Sequence, residues 1–189
     1  MYVVGIDIGG QTTKLGVVDA RGTVLAQTVI RTDTYTDITP YIGELAVALN
    51  KIIAEAGVEG KVKGIGVGAP NGNYYTGTIE NAVNITWGGE RTIEFAKLLT
   101  EAMGGLPVAL TNDANAAAVG EMAYGAARGM KNCIMISLGT GVGSGIVIGG
   151  NVVYGHDGFA GELGHTAAVR HNGRTCNCGK TGCLETYCS

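Results

Sequence analysis

Proline is scarce, with 3 residues in 189, so no proline-rich linker divides the chain, and the absence of a G-X-Y period removes a collagen-like reading. Basic residues are few and scattered: 13 Lys and Arg against 16 Asp and Glu leave a formal charge of −3. No Lys/Arg cluster exists to follow a phosphate backbone, and nucleic acid is not an expected partner. The opening Met1-Tyr2-Val3-Val4-Gly5-Ile6-Asp7 has no basic leader and reaches a carboxylate too early for a secretory signal, so a cytoplasmic protein is expected. The uncharged run from Cys133 to His156 is long. Its regular glycines, Ser/Thr content and β-branched residues suit strands joined by turns, and no membrane partner is expected.

What the chain does have is apolar residues and glycine. Hydrophobic positions make up 46% and the mean hydropathy is +0.21, enough for a real core in one domain or one and a fraction. The 33 glycines are more than twice the roughly 7% share of ordinary proteins. Inside an apolar chain they point to tight strand turns and to backbone that approaches a ligand.

Three β-branched runs, Val3 to Ile8, Lys14 to Val18 and Thr23 to Ile30, are separated by turn signals and predict an antiparallel meander. Thr39-Pro40 offers an N-cap and a proline at the first helical position, and Ile42, Leu45, Ala46, Leu49, Ile52 and Ile53 keep a helical period to about Gly57. A strand around Val62 to Val67, a Gly/Asn-rich loop from Gly68 to Trp87, a helix from about Thr92 to Met103 and a strand Val108 to Leu110 complete a βββαβαβ order. A shift of 130 residues then lays Ile8-Gly9 on Leu138-Gly139 and Val17-Val18 on Val147-Ile148. Strand, Gly-rich turn, strand, turn and strand recur from Cys133 to Tyr154, as if the chain starts its fold again.

The two turns, Asp7-Ile8-Gly9-Gly10-Gln11-Thr12-Thr13-Lys14 and Ser137-Leu138-Gly139-Thr140-Gly141-Val142-Gly143, bring strands into glycines whose bare N–H groups can line an anion. Asp7 beside phosphates makes sense if it holds Mg²⁺; two plain hairpin turns are the competing reading. Gly64-Ile65-Gly66-Val67-Gly68-Ala69 is no dinucleotide fingerprint, because Pro70 and Asn71-Gly72 follow where a helix should open.

Asp113 stands where a short strand meets an alanine-rich helix through Tyr124, and Asn112 or Asp113 is equally placed to cap that helix. With Asn81, Asn84, Asn112 and Asn115 it supplies hydroxyl-recognising groups of little charge, a set suited to a sugar. Further on, His165, Cys176, Cys178 and Cys183 form H-x10-C-x-C-x4-C, four soft ligands that fit a closed tetrahedral zinc site. His171 is the rival imidazole, and a disulfide framework is the weaker alternative in a reducing compartment. Cys133 is expected on a buried strand. Zinc would order the loop and fix Glu162 and Glu185 on either side of it.

Taken together, Asp7-Ile8-Gly9-Gly10, Gly68-Ala69-Pro70-Asn71-Gly72, Asn112-Asp113-Ala114-Asn115-Ala116, Gly139-Thr140-Gly141-Val142-Gly143, Gly161-Glu162-Leu163-Gly164-His165 and Cys176 through Glu185 resemble the ROK family of repressors, open reading frames and sugar kinases. The resemblance implies an α/β, actin-like, hexokinase-type (ribonuclease H-like) fold of duplicated βββαβαβα lobes. An N-terminal lobe over 1–111 is expected, with a partial second lobe and its zinc loop over 112–189. It further implies ATP-dependent phosphorylation of a hexose or N-acetylhexosamine. Asp113 would be the general base, and Asn84, Asn112, Glu162, His165 and Glu185 the sugar contacts. The turns would hold the phosphates of Mg²⁺-ATP through Asp7, Gly9, Gly10, Thr12, Lys14, Gly139, Thr140 and Gly141, with zinc on His165, Cys176, Cys178 and Cys183. Lys14 has the alternative of being a solvated strand residue. Family repressors carry a DNA-binding region ahead of the first Gly-rich turn, whereas Asp7 lies almost at the start here, which favours the kinase branch. Family kinases also continue past the cysteine cluster. The second lobe is therefore expected to be incomplete, with apolar strand edges open to a second copy, and a non-catalytic sugar-binding or regulatory protein is the alternative.

Overall fold

The computed structural model describes residues 1–89 and 91–189. They divide into two compact units, Met1–Asp113 and Ala114–Ser189. In the first unit, β1 (Tyr2–Ile8), β2 (Thr12–Asp19) and β3 (Val24–Arg31) form the antiparallel meander, followed by α1 (Ile38–Glu55) and β4 (Val62–Ala69). Then come β5 (Gly72–Asn73), β6 (Thr78–Glu80), β7 (Thr92–Ile93), α2 (Phe95–Ala102) and β8 (Val108–Asn112). The main sheet has the order β3-β2-β1-β4-β8, with β4 and β8 parallel to β1. Alternation decides its faces: Val4, Ile6 and Ile8 of β1 and Leu15 and Val17 of β2 are buried. They cluster with Tyr41, Leu45, Leu49 and Ile52, a stripe at helical spacing along α1.

Three sequence expectations are corrected. Helix α1 starts earlier than Thr39-Pro40, because Asp37 is its N-cap and accepts a hydrogen bond from the Thr39 N–H at 2.8 Å. Pro40 falls third in the helix, where a missing N–H still costs no intrahelical bond. The segment Gly68 to Trp87 is not all loop; β5 and β6 pair within it and β7 joins them as a third strand. Thr92 and Ile93 are therefore strand, and α2 starts at Phe95. Trp87 closes this region onto the core: it is fully buried, stacked on Tyr41 at 4.7 Å and on Phe95 at 6.0 Å between ring centroids.

The second unit takes up at α3 (Asp113–Tyr124), followed by β9 (Cys133–Leu138), β10 (Val142–Ile148), β11 (Asn151–Val152), a 3₁₀ turn at Leu163–His165 and a short α4 (Glu185–Cys188). Its sheet runs β11-β10-β9 and is antiparallel throughout. Strands β2 and β10 begin at Thr12 and Val142, in keeping with the 130-residue shift, but β11 is only two residues long. Helix α3 lies directly on β10: a Cβ at Gly145 would come within 2.6 Å of the Ala118 Cβ, and one at Gly143 within 3.0 Å of the Ala114 Cβ. Strand β9 is not buried as expected. Ile134, Ile136 and Leu138 are exposed and Cys133 is half-buried. No helix among the described residues is long and apolar enough to cross a membrane.

Candidate functional site

In the first unit the candidate residues collect at one end of the main sheet. The register pairs Asp7 with Gly68 and Gly68 with Thr111, so the ends of β1, β4 and β8 lie side by side. Two strand spacings place the backbone of Asp7 about 10 Å from that of Thr111, with Asn112 and Asp113 next in the chain. This is the carboxyl end of the parallel strands, where open α/β sheets bind ligands. Asp113 is exposed and is the first residue of α3, and a helix N-terminus is a favourable setting for a carboxylate.

The first Gly-rich turn joins β1 to β2. Its Gly9 N–H donates to the Thr12 carbonyl at 2.9 Å, so this amide is used inside the turn and is not bare as expected. Lys14 stands across from Asp7, with Nζ 3.8 Å from Oδ2 and side chains 70% and 61% exposed. Such an exposed pair adds little stability. Behind Thr12 the buried hydroxyl of Thr13 joins Thr32 at 2.8 Å and Tyr41 at 2.6 Å. Asn84 is exposed on a segment anchored by buried Ala82, Ile85 and Trp87, and its carbonyl oxygen lies 2.8 Å from where a Cβ on Gly10 would be.

In the second unit the Gly139 N–H donates to the Gly141 carbonyl at 3.0 Å, again inside its turn. Thr140 is exposed there. Ser144 of β10, buried, donates to the Gly161 carbonyl and accepts from the Leu163 N–H at 3.1 Å. This clamp holds Glu162 between its two bonded neighbours. Gly164 adds to it, since a Cβ there would run into the Val142 carbonyl. The sequence reading missed Ser144; its only signal was a hydroxyl within the Gly143-Ser144-Gly145 run.

The thiols gather beside this loop. The ligand atoms of His165, Cys176, Cys178 and Cys183 all lie within 4.8 Å of one another. Cys178 Sγ is 3.7 Å from Cys183 Sγ, and Cys176 Sγ is 3.7 Å from His165 Nδ1. A tetrahedral site with metal–sulfur bonds near 2.3 Å has sulfur–sulfur edges of about 3.8 Å, so both spacing and donor set fit zinc. A disulfide would need sulfurs about 2.05 Å apart, and all five cysteines are free. His171 is not in the cluster. Local backbone makes the site: the bridges Thr175↔Thr181 and Ala167↔Cys183 close the loop, and the Cys176 N–H donates to the Lys180 carbonyl at 2.9 Å.

Glu185 lies between the thiols and the second turn. Its Oε1 accepts from the Cys176 thiol at 2.9 Å and stands 3.6 Å from His165 Nδ1. Its Oε2 accepts from the Val142 N–H at 3.5 Å. The carboxylate pushes the Cys176 thiol up to about 12, and burial raises that of Cys183. A bound cation reverses this order, because a coordinating thiol is deprotonated outright.

The ROK family model matches residues 3–189. A glucokinase of Halalkalibacterium halodurans is 42% identical over 190 residues, covering 100% of this chain and 56% of the relative. A ROK family glucokinase of Streptomyces griseus, solved in complex with glucose and AMPPNP, is 36% identical with a TM-score of 0.82, covering 100% of this chain and 57% of that one. A xylose repressor of Caldicellulosiruptor bescii is 30% identical over 189 residues, covering 99% of this chain and 46% of the relative. The chain thus spans about half the length of the relatives it matches. The fold is the α/β, actin-like, hexokinase-type one of the glucokinase structures.

Proposed function

The chain belongs to the ROK family, and from that premise we propose that it is of the sugar-kinase kind, transferring the γ-phosphoryl group of ATP to a hydroxyl of a hexose or N-acetylhexosamine. The observation that carries this is the alignment of Asp7 and Asn112-Asp113 at the carboxyl end of β1, β4 and β8, in a chain 42% identical to a glucokinase. A sugar hydroxyl is a weak nucleophile. Asp113 accepts its proton as the new oxygen–phosphorus bond forms and the bond to the departing ADP breaks. Asn84, Asn112, Glu162, His165 and Glu185 orient the sugar, and positioning of this kind supplies much of the rate in phosphoryl transfer.

The two turns, through Asp7, Gly9, Gly10, Thr12 and Lys14 and through Gly139, Thr140 and Gly141, receive the phosphates. Mg²⁺ bound with the nucleotide would offset phosphate charge, and Asp7 is the carboxylate placed to face it. With the amides of Gly9 and Gly139 bonded inside their turns, these two glycines shape the turns, and Gly10, Thr12, Lys14, Thr140 and Gly141 donate to the phosphates. Zinc held by His165, Cys176, Cys178 and Cys183 would act as a cross-link in an irregular loop. Nδ1 of His165 faces the thiols, which leaves Nε2 for the sugar.

A coupled assay for ADP release tests the proposal. Sugar-dependent turnover is expected, falling at least about a hundredfold in Asp113→Asn, the scale of general-base catalysis. The likeness to a repressor favours one second reading, a sugar-binding regulatory protein without turnover. Saturable glucose binding with no ADP release in either form would establish that reading and reject the first.

A further inference from the structure

None of the glycines at 9, 10, 139, 141 and 143 adopts positive φ, so torsion does not require glycine at any of these turn positions. Space does at Gly9, Gly10, Gly141 and Gly143, and the reason differs from one to the next. Gly9 meets the carbonyl of its own turn, with Thr12 O 3.0 Å from an added Cβ, and Gly143 makes room for Ser137 and α3. Gly139 has nothing within 4 Å. Gly10 and Gly141 differ from all of these. The space a side chain would take at Gly10 holds the Asn84 carbonyl at 2.8 Å, and at Gly141 it holds Glu185 Oε2 at 2.9 Å. In each unit separately, a residue named for the sugar rests on a glycine of the turn named for phosphates.

We infer that Gly10 and Gly141 are positioning residues for the sugar, each giving up its side chain so that a Gly-rich turn seats a sugar-contacting group. This deepens the kinase reading and rests on it. At Gly10 the neighbour is backbone, and the segment cannot retreat cheaply because Ala82, Ile85 and Trp87 anchor it in the core at 1%, 1% and 0% exposure. A methyl at 10 therefore displaces Asn84. At Gly141 the neighbour is the end of a side chain whose other oxygen is held by Cys176 at 2.9 Å. A methyl there swings the carboxylate off the Val142 N–H and away from its set position. Oriented contacts are sensitive to such shifts, a misplacement on the order of 1 Å being worth up to about a hundredfold in rate.

The test titrates the full chain with glucose and, separately, with AMPPNP and Mg²⁺ by calorimetry, and follows amide hydrogen exchange at 82–88 and 184–188. Gly10→Ala is expected to weaken glucose binding about tenfold or more and Gly141→Ala about threefold to tenfold, in each case by a larger factor than it weakens AMPPNP binding. Gly139→Ala, whose added methyl meets nothing within 4 Å, should leave glucose affinity within about twofold. Exchange should quicken at 82–88 in Gly10→Ala and at 184–188 in Gly141→Ala. In a Glu185→Ala background Gly141→Ala should change glucose affinity no further, a non-additivity that general destabilisation would not produce. Loss of AMPPNP affinity with glucose affinity intact would overturn the inference and return both glycines to the phosphates. If Gly10→Ala fails to fold, the Gly141 and Glu185 cycle decides alone, additive effects overturning the inference. If the unaltered chain binds neither glucose nor AMPPNP, the kinase reading fails; unchanged exchange in both glycine variants then overturns the inference as well, and quickened exchange upholds its positional content.

Discussion

Tyr41 shows how burial fixes a titration at a single residue. Its phenol is fully enclosed, and burial pushes its pKa from the ordinary 10.0 up to about 12. The folded state thus holds the phenolic proton more tightly than the unfolded chain does. Its contribution to stability is whole below pH 10 and is lost as the pH climbs toward 12. With each pKa unit worth about 1.4 kcal/mol, the loss is on the order of 3 kcal/mol. Tyr41→Phe should flatten this alkaline slope while costing about 1 kcal/mol at neutral pH for the bond to Thr13. Denaturant midpoints at pH 8 and pH 11 check it, and parallel losses in both proteins would refute the assignment. At this scale the sequence was legible where the residues that meet are close along the chain. The histidine and cysteine spacing of 165, 176, 178 and 183 foretold a cluster that the loop then closes. Contacts between distant positions, Gly10 with Asn84 or Ser144 with Gly161, were not legible, because spacing along the chain carries no information about them.

Among the elements, long strands and helices were readable because period 2 and period 3.6 leave marks over several residues. Strands β5, β6 and β7 were not, since two or three residues have no period. The start of α1 was misread because Asp37 and Thr39 are both good caps and the side-chain bond of Asp37 decides between them. The loop after β11 depends on other forces. In the second unit the buried apolar side chains are Ala114, Ala118, Val142, Val147, Cys176 and Cys183, a thin core in which two members belong to the thiol cluster. Small units of this kind lean on metals or cross-links. Stripping metal from the reduced chain with a chelator should therefore quicken amide exchange across 163–188, and added Zn²⁺ should restore protection. Cys178→Ser should need more Zn²⁺ for the same recovery, while β1 through β4 are unaffected. Exchange that is indifferent to Zn²⁺ would remove the structural role of the ion.

At the scale of the whole molecule, the order of motifs along the chain was enough to identify the family, whereas the burial of β9 was misjudged, because an apolar uncharged strand gives no sign in the sequence of which neighbours cover it. Ile134, Ile136, Leu138 and Ile148 are all more than half exposed, and β9 is an edge strand with no charge to guard it. A face like this should bind an apolar dye such as ANS. Ile134→Lys with Ile136→Lys should cut that signal by more than half without lowering the melting temperature, and an unchanged signal would mean that the dye binds elsewhere. The lone tryptophan, Trp87, belongs to the first compact unit, and all five cysteines belong to the second. Nature has thereby labelled the two units with non-overlapping reporters. Indole emission follows the melting of one unit and the reactivity of the buried thiols of Cys176 and Cys183 follows the opening of the other, so a single denaturation series, read in both ways, distinguishes concerted unfolding from unfolding in succession.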